Sequence, residues 1–552
     1  MPGPKGPGLT MTARLFAFAL LLGGLRDPKW FAVAGAAVWA AVWLESPALG
    51  PAARWLPWLT WAALSALASS QPLAALPVLA RWSAVLACAS LAGAWKREQR
   101  EEWLKAFLVA ACGVAVAALA TGAGRGWRNA MTGVIPPYSN YSAFVLGAAG
   151  AAAWAWILHP RGPKGVLRAA AGAAALMSLT AVLLASSRGA WLGRAAAAAV
   201  WSARRWGARA AAGFSVAGAV FLAAHSAGFL PGPVENALLK KYRLHAEARP
   251  RLWHAAEAVA DDAPWLGTGP GNLASGFRRH PVAFEDGAAR WAMSTDYAHS
   301  EVLQVAAETG WPGLALWLLA AFFALRALAS RAGDDPVREA AAAATAAMSA
   351  HLLVDDMLQL PALAALWLTA MTLAAAPHHG KTRWPRAAAL AGALLALVSW
   401  IPRAAADASP ARAAVLFPAD PSPREDLGYA AAAAGDAAGS DAHWAAAQRL
   451  APFNAIYPWR RGQIAGTRGD WAAAEGFAAR AAELEPGFIR ARLLRVEALA
   501  RLKRTREARA ELDELSRIVA LRAGVPLHSG YERVVWEFDR AEYDRAAASL
   551  KR

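Results

Sequence analysis

Residues 96–123 read KREQREEWLKAFLVAACGVAVAALATGA: a basic cluster, Lys96 to Arg100, followed by an apolar run from Trp103 to Ala123. A helix needs about 20 apolar residues to cross the hydrocarbon core of a bilayer. The basic flank marks the end held on the cytoplasmic side, where Lys and Arg accumulate in short loops. Working outward, further apolar stretches stand at about 13–25, 30–49, 53–70, 76–95, 141–159, 166–187, 189–203, 207–230, 302–328, 338–356, 358–376 and 386–402. The basic loops Arg161 to Arg168, Arg204 with Arg205 and Arg209, Arg326 with Arg331, and Lys381 to Arg386 fall on the same side as Lys96 to Arg100. That side is therefore expected to be cytoplasmic, with loops 124–140 and 231–301 and everything after residue 402 facing outward. Arg26 and Lys29 run against the pattern. Lys5 and Arg14 precede the first apolar stretch, but no small-x-small cleavage site follows before Arg26, so it reads as an uncleaved span.

The expected fold class is all-α: a polytopic transmembrane helix bundle of about twelve or thirteen spans over residues 1–402, with a long periplasmic loop at about 231–301, then a helical domain over 403–552. Composition agrees, with 57% hydrophobic residues. The net charge of +17 sits in loops between apolar segments rather than on one continuous face, which argues against a nucleic-acid partner. Cys88 and Cys112 lie in apolar segments without metal-ligand spacing, so they indicate neither a disulfide framework nor a zinc site. Tryptophan is abundant, with 27 copies, many near span ends where interfacial anchors are expected.

After Pro402 the sequence repeats with a period of about 34 residues: Gly428 and Gly462, Gly435-Asp436 and Gly469-Asp470, Ala447 and Ala481, Leu450 and Leu484, Pro452 and Pro486. The register resembles tetratricopeptide repeats, whose paired helices stack into a superhelix with a concave groove. A degenerate third copy spans about 489–522, with Ala508, Leu512 and Leu515 in register, and a helix from Glu532 to Leu550 is expected to cap the array.

Polar residues at the outward span ends are the candidates for chemistry, because such groups are costly in or near a membrane. Arg188, in Ser186-Ser187-Arg188-Gly189, either grips a lipid diphosphate through paired donors or snorkels to head groups. In the outer loop, Arg249, Arg251, Trp253 and His254 precede the turn Gly267-Thr268-Gly269-Pro270-Gly271-Asn272, which is either an anion nest or a tight turn between loop helices. His299 is expected near the outer end of a helix capped by Ser294 to Asp296, as a base toward a hydroxyl or as an interfacial residue. No Asp-x-Asp or other cluster with metal-ligand spacing stands on the outward side. The acidic pair Asp355-Asp356 reads as structural, with a lesser prospect of helping to bind a cation or substrate.

The order Ser-Arg-Gly, then Arg with Leu and Trp, then the Gly-x-Gly-x-Gly turn, then His299-x-x-x-Leu303-Gln304-x-x-x-Glu308-x-Gly310 resembles the O-antigen ligase and polymerase family, as does Asn140-Tyr141-Ser142-Ala143-Phe144. The likeness covers about residues 135–320. It implies a metal-independent, cofactor-free membrane glycosyltransferase on the periplasmic face of the bacterial inner membrane. The implied donor is an undecaprenyl-diphosphate glycan, and the implied acceptor is lipid A core in a ligase. A growing glycan in a polymerase and a protein in an O-oligosaccharyltransferase are the alternatives. Arg188, Arg251 and His299 are the implied catalytic residues, with Arg249 as the alternative to Arg251. Asn140, Gly269, Gly271 and Glu308 are the implied substrate contacts. Ser300 stands where the family often has Asn, and the repeat module is an addition that would recruit a protein partner. A non-enzymatic membrane scaffold built on that module, and a transporter for the same lipid, are the competing classes.

Overall fold

The structure is a computed structural model that describes residues 23–124, 139–185, 187–207, 243–280, 295–329, 335–375, 382–522 and 530–550, with the isolated positions 135, 209 and 282. The described chain is helical, as expected; its β-type pairing amounts to one isolated bridge between Ala48 and Arg383. The helices before residue 400 are α1 (Pro28–Glu45), α2 (Leu56–Ala68), α3 (Leu76–Gly93), α4 (Arg97–Gly124), α5 (Ser139–Leu158), α6 (Gly165–Ala185), α7 (Arg188–Trp206), α8 (Arg243–Asp262), α9 (Leu273–Phe277), α10 (Glu301–Ala329), α11 (Pro336–His351), α12 (Pro361–Ala374) and α13 (Arg386–Val398).

Six helical stretches among the described residues are long and apolar enough to cross a membrane: Pro72–Gly93, Arg97–Ala123, Ser139–Leu158, Gly165–Ala185, Glu301–Arg326 and Arg386–Asp407. The chain is a multi-pass membrane protein. Helices α1, α2, α7, α11 and α12 occupy expected span positions but are too short or too polar to be counted on length and composition alone. Most of the expected spans at 13–25 and 207–230 lies outside the described residues.

The chain divides into two compact units: Met1–Gly271 with Tyr297–Ile401, and Asn272–Asp296 with Pro402–Arg552. In the first, α11 packs against α5 and α7. Small side chains permit the approach: a Cβ on Gly193 would lie 2.4 Å from the Ala347 carbonyl oxygen. Five tryptophans, Trp55, Trp58, Trp82, Trp317 and Trp367, pack on one another in the interior. Trp58 meets Trp82 at 4.8 Å between ring centroids, Trp55 meets Trp367 at 5.6 Å, and Trp317 stacks on Trp367 at 6.0 Å. Each is at most 5% exposed, so packing area rather than the head-group boundary decides their place.

The second unit carries three successive helix pairs: α15 (Ser422–Ala433) with α16 (Ala437–Leu450), α17 (Ile456–Thr467) with α18 (Trp471–Leu484), and α19 (Ile489–Arg501) with α20 (Thr505–Arg522), preceded by α14 (Pro410–Leu416). The Gly-Asp dipeptides make the turn within the first two pairs. Gly435 and Gly469 take left-handed φ values of 78° and 79°, and the carboxylates of Asp436 and Asp470 accept the amides of Gly439 and Ala473 at 2.8 and 3.0 Å as N-caps. Lys503 takes the same left-handed place in the third pair, at φ 61°, which is why that copy reads as degenerate. Ala447, Ala481, Ala508 and Leu515 are fully buried. Two short helices, α21 (Gly530–Trp536) and α22 (Arg540–Ser549), follow and pack on α19. Arg278, just after α9, donates to the Ala419 carbonyl at 3.0 Å and pairs with Asp420 at 3.6 Å, fastening its segment within this unit.

Candidate functional site

Asp355 and Asp356 follow α11 in the short connection to α12, and they are 4% and 3% exposed. Burying two adjacent carboxylates is costly unless donors and cations surround them. Asp355 Oδ2 accepts from Asn140 Nδ2 at 2.7 Å, from the first turn of α5, and from Arg249 Nη2 at 3.1 Å, from α8. Arg249 Nη1 also donates to the Val354 carbonyl at 2.8 Å, so its guanidinium grips both the carboxylate and the adjoining backbone. His299 Nδ1 lies 2.9 Å from Asp356 Oδ1 and 3.5 Å from Asp355 Oδ1. His351, at the end of α11, brings Nε2 to 3.9 Å from Asp355 Oδ2, with its ring 5.5 Å from that of Phe144. Three residues distant in sequence, Asn140, Arg249 and His299, thus converge with the neighbouring His351 on one acidic pair.

His299 precedes the helix rather than riding on it. Helix α10 begins at Glu301, and His299 holds φ at 53°, in the left-handed region. The expectation of a helix capped from Ser294 to Asp296 is corrected in this respect. The Glu301 amide instead donates to the Leu352 carbonyl at 3.1 Å, which ties the start of α10 to the end of α11. Trp253 Nε1 donates to the His299 carbonyl at 3.1 Å. Burial works against the imidazolium, but the Asp355 and Asp356 carboxylates beside Nδ1 outweigh it and push the His299 pKa up to about 9.

Among the sequence-predicted arginines, Arg249 enters the acidic cluster. Arg251, two residues on, is turned about 200° around α8 at 100° per residue, and is half-buried. Arg188 is exposed at the first position of α7, where Ser187 Oγ caps the helix by accepting the Ala190 amide. It stands at the same end of the bundle: a Cβ on its neighbour Gly189 would lie 2.2 Å from the His351 ring.

The glycine-rich turn connects α8 to α9, in keeping with the tight-turn alternative, and its amides meet a break in α10. Helix α10 is broken at Gly310, with φ 71° and ψ 176°; the break and Pro312, which has no N–H to give, leave the carbonyls of Ala307 and Glu308 outside the helical ladder. The Thr268 and Gly269 amides donate to them at 3.0 and 2.9 Å, and the Trp311 amide donates to the Pro264 carbonyl at 2.9 Å. The Gly269 amide, expected to face a substrate, is thus committed to the kink. Gly271 is where the turn lies against the start of α3 and the residues just before it: a Cβ there would be 3.2 Å from Val78 Cγ2 and 2.9 Å from the Ala74 carbonyl oxygen. Glu308, also expected at the substrate, is 7% exposed, and its carboxylate accepts from Gln304 Nε2 at 2.7 Å.

His299, Asp355 and Asp356 present ligand atoms within 4.8 Å of one another, a spacing that suits a metal ion. Arg249 and Asn140 already engage Asp355, and a guanidinium so close opposes a second cation, so the cluster is better described as a compensated group of ion pairs. The acidic pair was expected to be structural; what the sequence did not foretell is that Asn140, Arg249 and His299 meet on it, or that Trp253 holds the His299 carbonyl. The available signal was two carboxylates at the end of an apolar run.

A family model described as O-antigen ligase matches residues 173–318. The match takes in Arg188, Arg249, Arg251, the glycine-rich turn, His299 and Glu308, and it stops short of Asn140 and Asp355. No curated protein matches the chain.

Proposed function

We propose that this chain, a membrane protein of the O-antigen ligase and polymerase family, moves a preassembled glycan from undecaprenyl diphosphate to the lipid A core on the periplasmic face of the inner membrane. Glycan transfer of the ligase or polymerase type is the property of the family. The observation that carries the finer reading is the joint fastening of Arg249 and His299 to Asp355, which pairs an anion-binding guanidinium with a proton-accepting imidazole.

A glycosyl diphosphate is a good leaving group, so the enzyme mainly needs to steady departing charge and to orient the acceptor. Arg249 on α8 and the exposed Arg188 at the start of α7 supply the charge, while Arg251 faces away from Arg249 around α8. The bond from the anomeric carbon to the diphosphate oxygen breaks, and a bond to the acceptor hydroxyl oxygen forms. The hydroxyl proton passes to His299. Because Nδ1 faces the two carboxylates, Nε2 is the atom that meets the acceptor. His299 must be neutral to take that proton, which couples transfer to its titration.

Purified full-length protein in detergent, given a radiolabelled undecaprenyl-diphosphate glycan with lipid A core and a periplasmic peptide in competition, tests the reading. Label moving to lipid A core supports a ligase. Label on the peptide replaces it with a protein glycosyltransferase, and lengthened donor with a polymerase. An intact donor beside folded protein favours a scaffold built on the helical repeats.

A further inference from the structure

His299 keeps a left-handed backbone that a residue with a side chain holds only where its surroundings impose it. Two hydrogen bonds bracket that residue. Trp253 Nε1 holds the His299 carbonyl, and the Ala298 amide donates to Gln304 Oε1 at 2.7 Å. Gln304 is 2% exposed and lies one helical turn from Glu308 on α10. A carboxylate only accepts, so the 2.7 Å contact from Gln304 Nε2 to Glu308 Oε1 requires the amide nitrogen to face Glu308 and leaves the amide oxygen for Ala298. Glu308 therefore chooses which way the Gln304 amide points.

Neither side chain has room to touch a glycan. The cavity beside them, lined also by Arg81, Glu301 and Pro270, measures about 20 Å³, the room of a single water molecule. The described contact by which the pair reaches His299 is the Ala298 amide.

We propose that Gln304, oriented by Glu308, is a positioning residue for glycan transfer, holding the turn before α10 in its left-handed form and thereby the His299 imidazole against Asp355 and Asp356. This rests on the reading of His299 as the proton acceptor. It gives Glu308 a task inside the protein rather than on the substrate, and it accounts for the one-turn spacing of the two residues.

The test uses the full-length protein in detergent. Gln304→Leu removes both hydrogen bonds at similar volume, and kcat is expected to fall about 100-fold, the scale of a misplaced catalytic group, with the donor KM unchanged. Gln304→Glu alone sets two carboxylates against each other and is expected to be impaired as well. Adding Glu308→Gln to Gln304→Glu restores an acceptor for Ala298 and a donor between the two positions, so the double swap is expected to recover most of kcat. A second readout needs no turnover: the pH dependence of His299 modification by diethyl pyrocarbonate, followed by mass spectrometry. Gln304→Leu is expected to move that profile to lower pH, and the swap to move it back.

Wild-type kcat together with a wild-type modification profile in Gln304→Leu would overturn the proposal. So would a double swap, folded by its melting curve, that is as impaired as Gln304→Leu. If the profile shifts as expected but the wild-type protein transfers no glycan, the positioning role stands and the assigned function fails.

Discussion

At the scale of single residues, Asp355 is the point where Asn140, Arg249, His299 and His351 meet. Asp355→Ala leaves the half-buried Arg249 guanidinium without its carboxylate, and a loss of about 3 kcal/mol is expected in denaturant or thermal unfolding. The elevated His299 pKa makes two pH predictions. As a base, His299 must lose its proton, so transfer is expected to rise with pH through a limb near 9. Asp356→Asn removes one of the charges that hold the proton, and the limb is expected to move to lower pH. Stability has the opposite slope: a pKa raised above the ordinary value of 6.5 contributes fully below that value and is lost as pH rises through about 9. Melting curves across that window should show the decline, flattened in His299→Gln. His299 and Arg188 stand out in the sequence as polar groups at the ends of apolar runs. Which of Arg249 and Arg251 meets the acidic pair is not legible there, because it depends on the angle at which α8 faces carboxylates contributed from after α11.

At the scale of elements, the glycine-rich turn and the break in α10 are complementary halves of one joint. Gly310 has a backbone that a residue with Cβ scarcely adopts, and a Cβ there would lie 2.4 Å from the Trp265 carbonyl oxygen. Gly267 has the reciprocal constraint against the Glu308 backbone, at 2.4 Å. Gly310→Ala is expected to cost about 1–3 kcal/mol from backbone strain alone, read as a lowered melting temperature, and more from the overlap. The glycines were visible in sequence, but their use was not. A nest for phosphate and a cap for a broken helix call for the same residues, and only the partner of the Gly269 amide separates them. The membrane helices were legible in outline from runs such as Trp103 to Ala123. Their ends were less so, as the start of α10 after His299 illustrates, because a hydrogen bond from a distant helix end decides it. The recurrence of Gly435-Asp436 and Gly469-Asp470 was visible in sequence, but not that each supplies the left-handed residue and the N-cap within the first two pairs.

At the scale of the molecule, apolar runs foretold a helical membrane protein, and the 34-residue recurrence pointed to a helical module after residue 402. They gave no sign that residues 272–296 belong to the same compact unit as that module. Leu273 and Phe277 are each 1% exposed, and Arg278 is tied to Ala419 and Asp420. A chain truncated after residue 402 is therefore expected to be cut by trypsin after Arg278 and Arg279 faster than the full-length protein, with cleavage followed by mass spectrometry. Equal rates would show that the segment keeps its order without the module. The central claim is that the cluster around Asp355 performs glycan transfer, and single-turnover transfer from labelled donor by purified full-length protein tests it most directly, with His299→Ala, Arg249→Ala and the wild type side by side. Folded variants that retain less than about a hundredth of the wild-type rate are the predicted result, the scale on which a general base contributes. Wild-type rates in both would contradict the assignment and move the chemistry elsewhere in the protein.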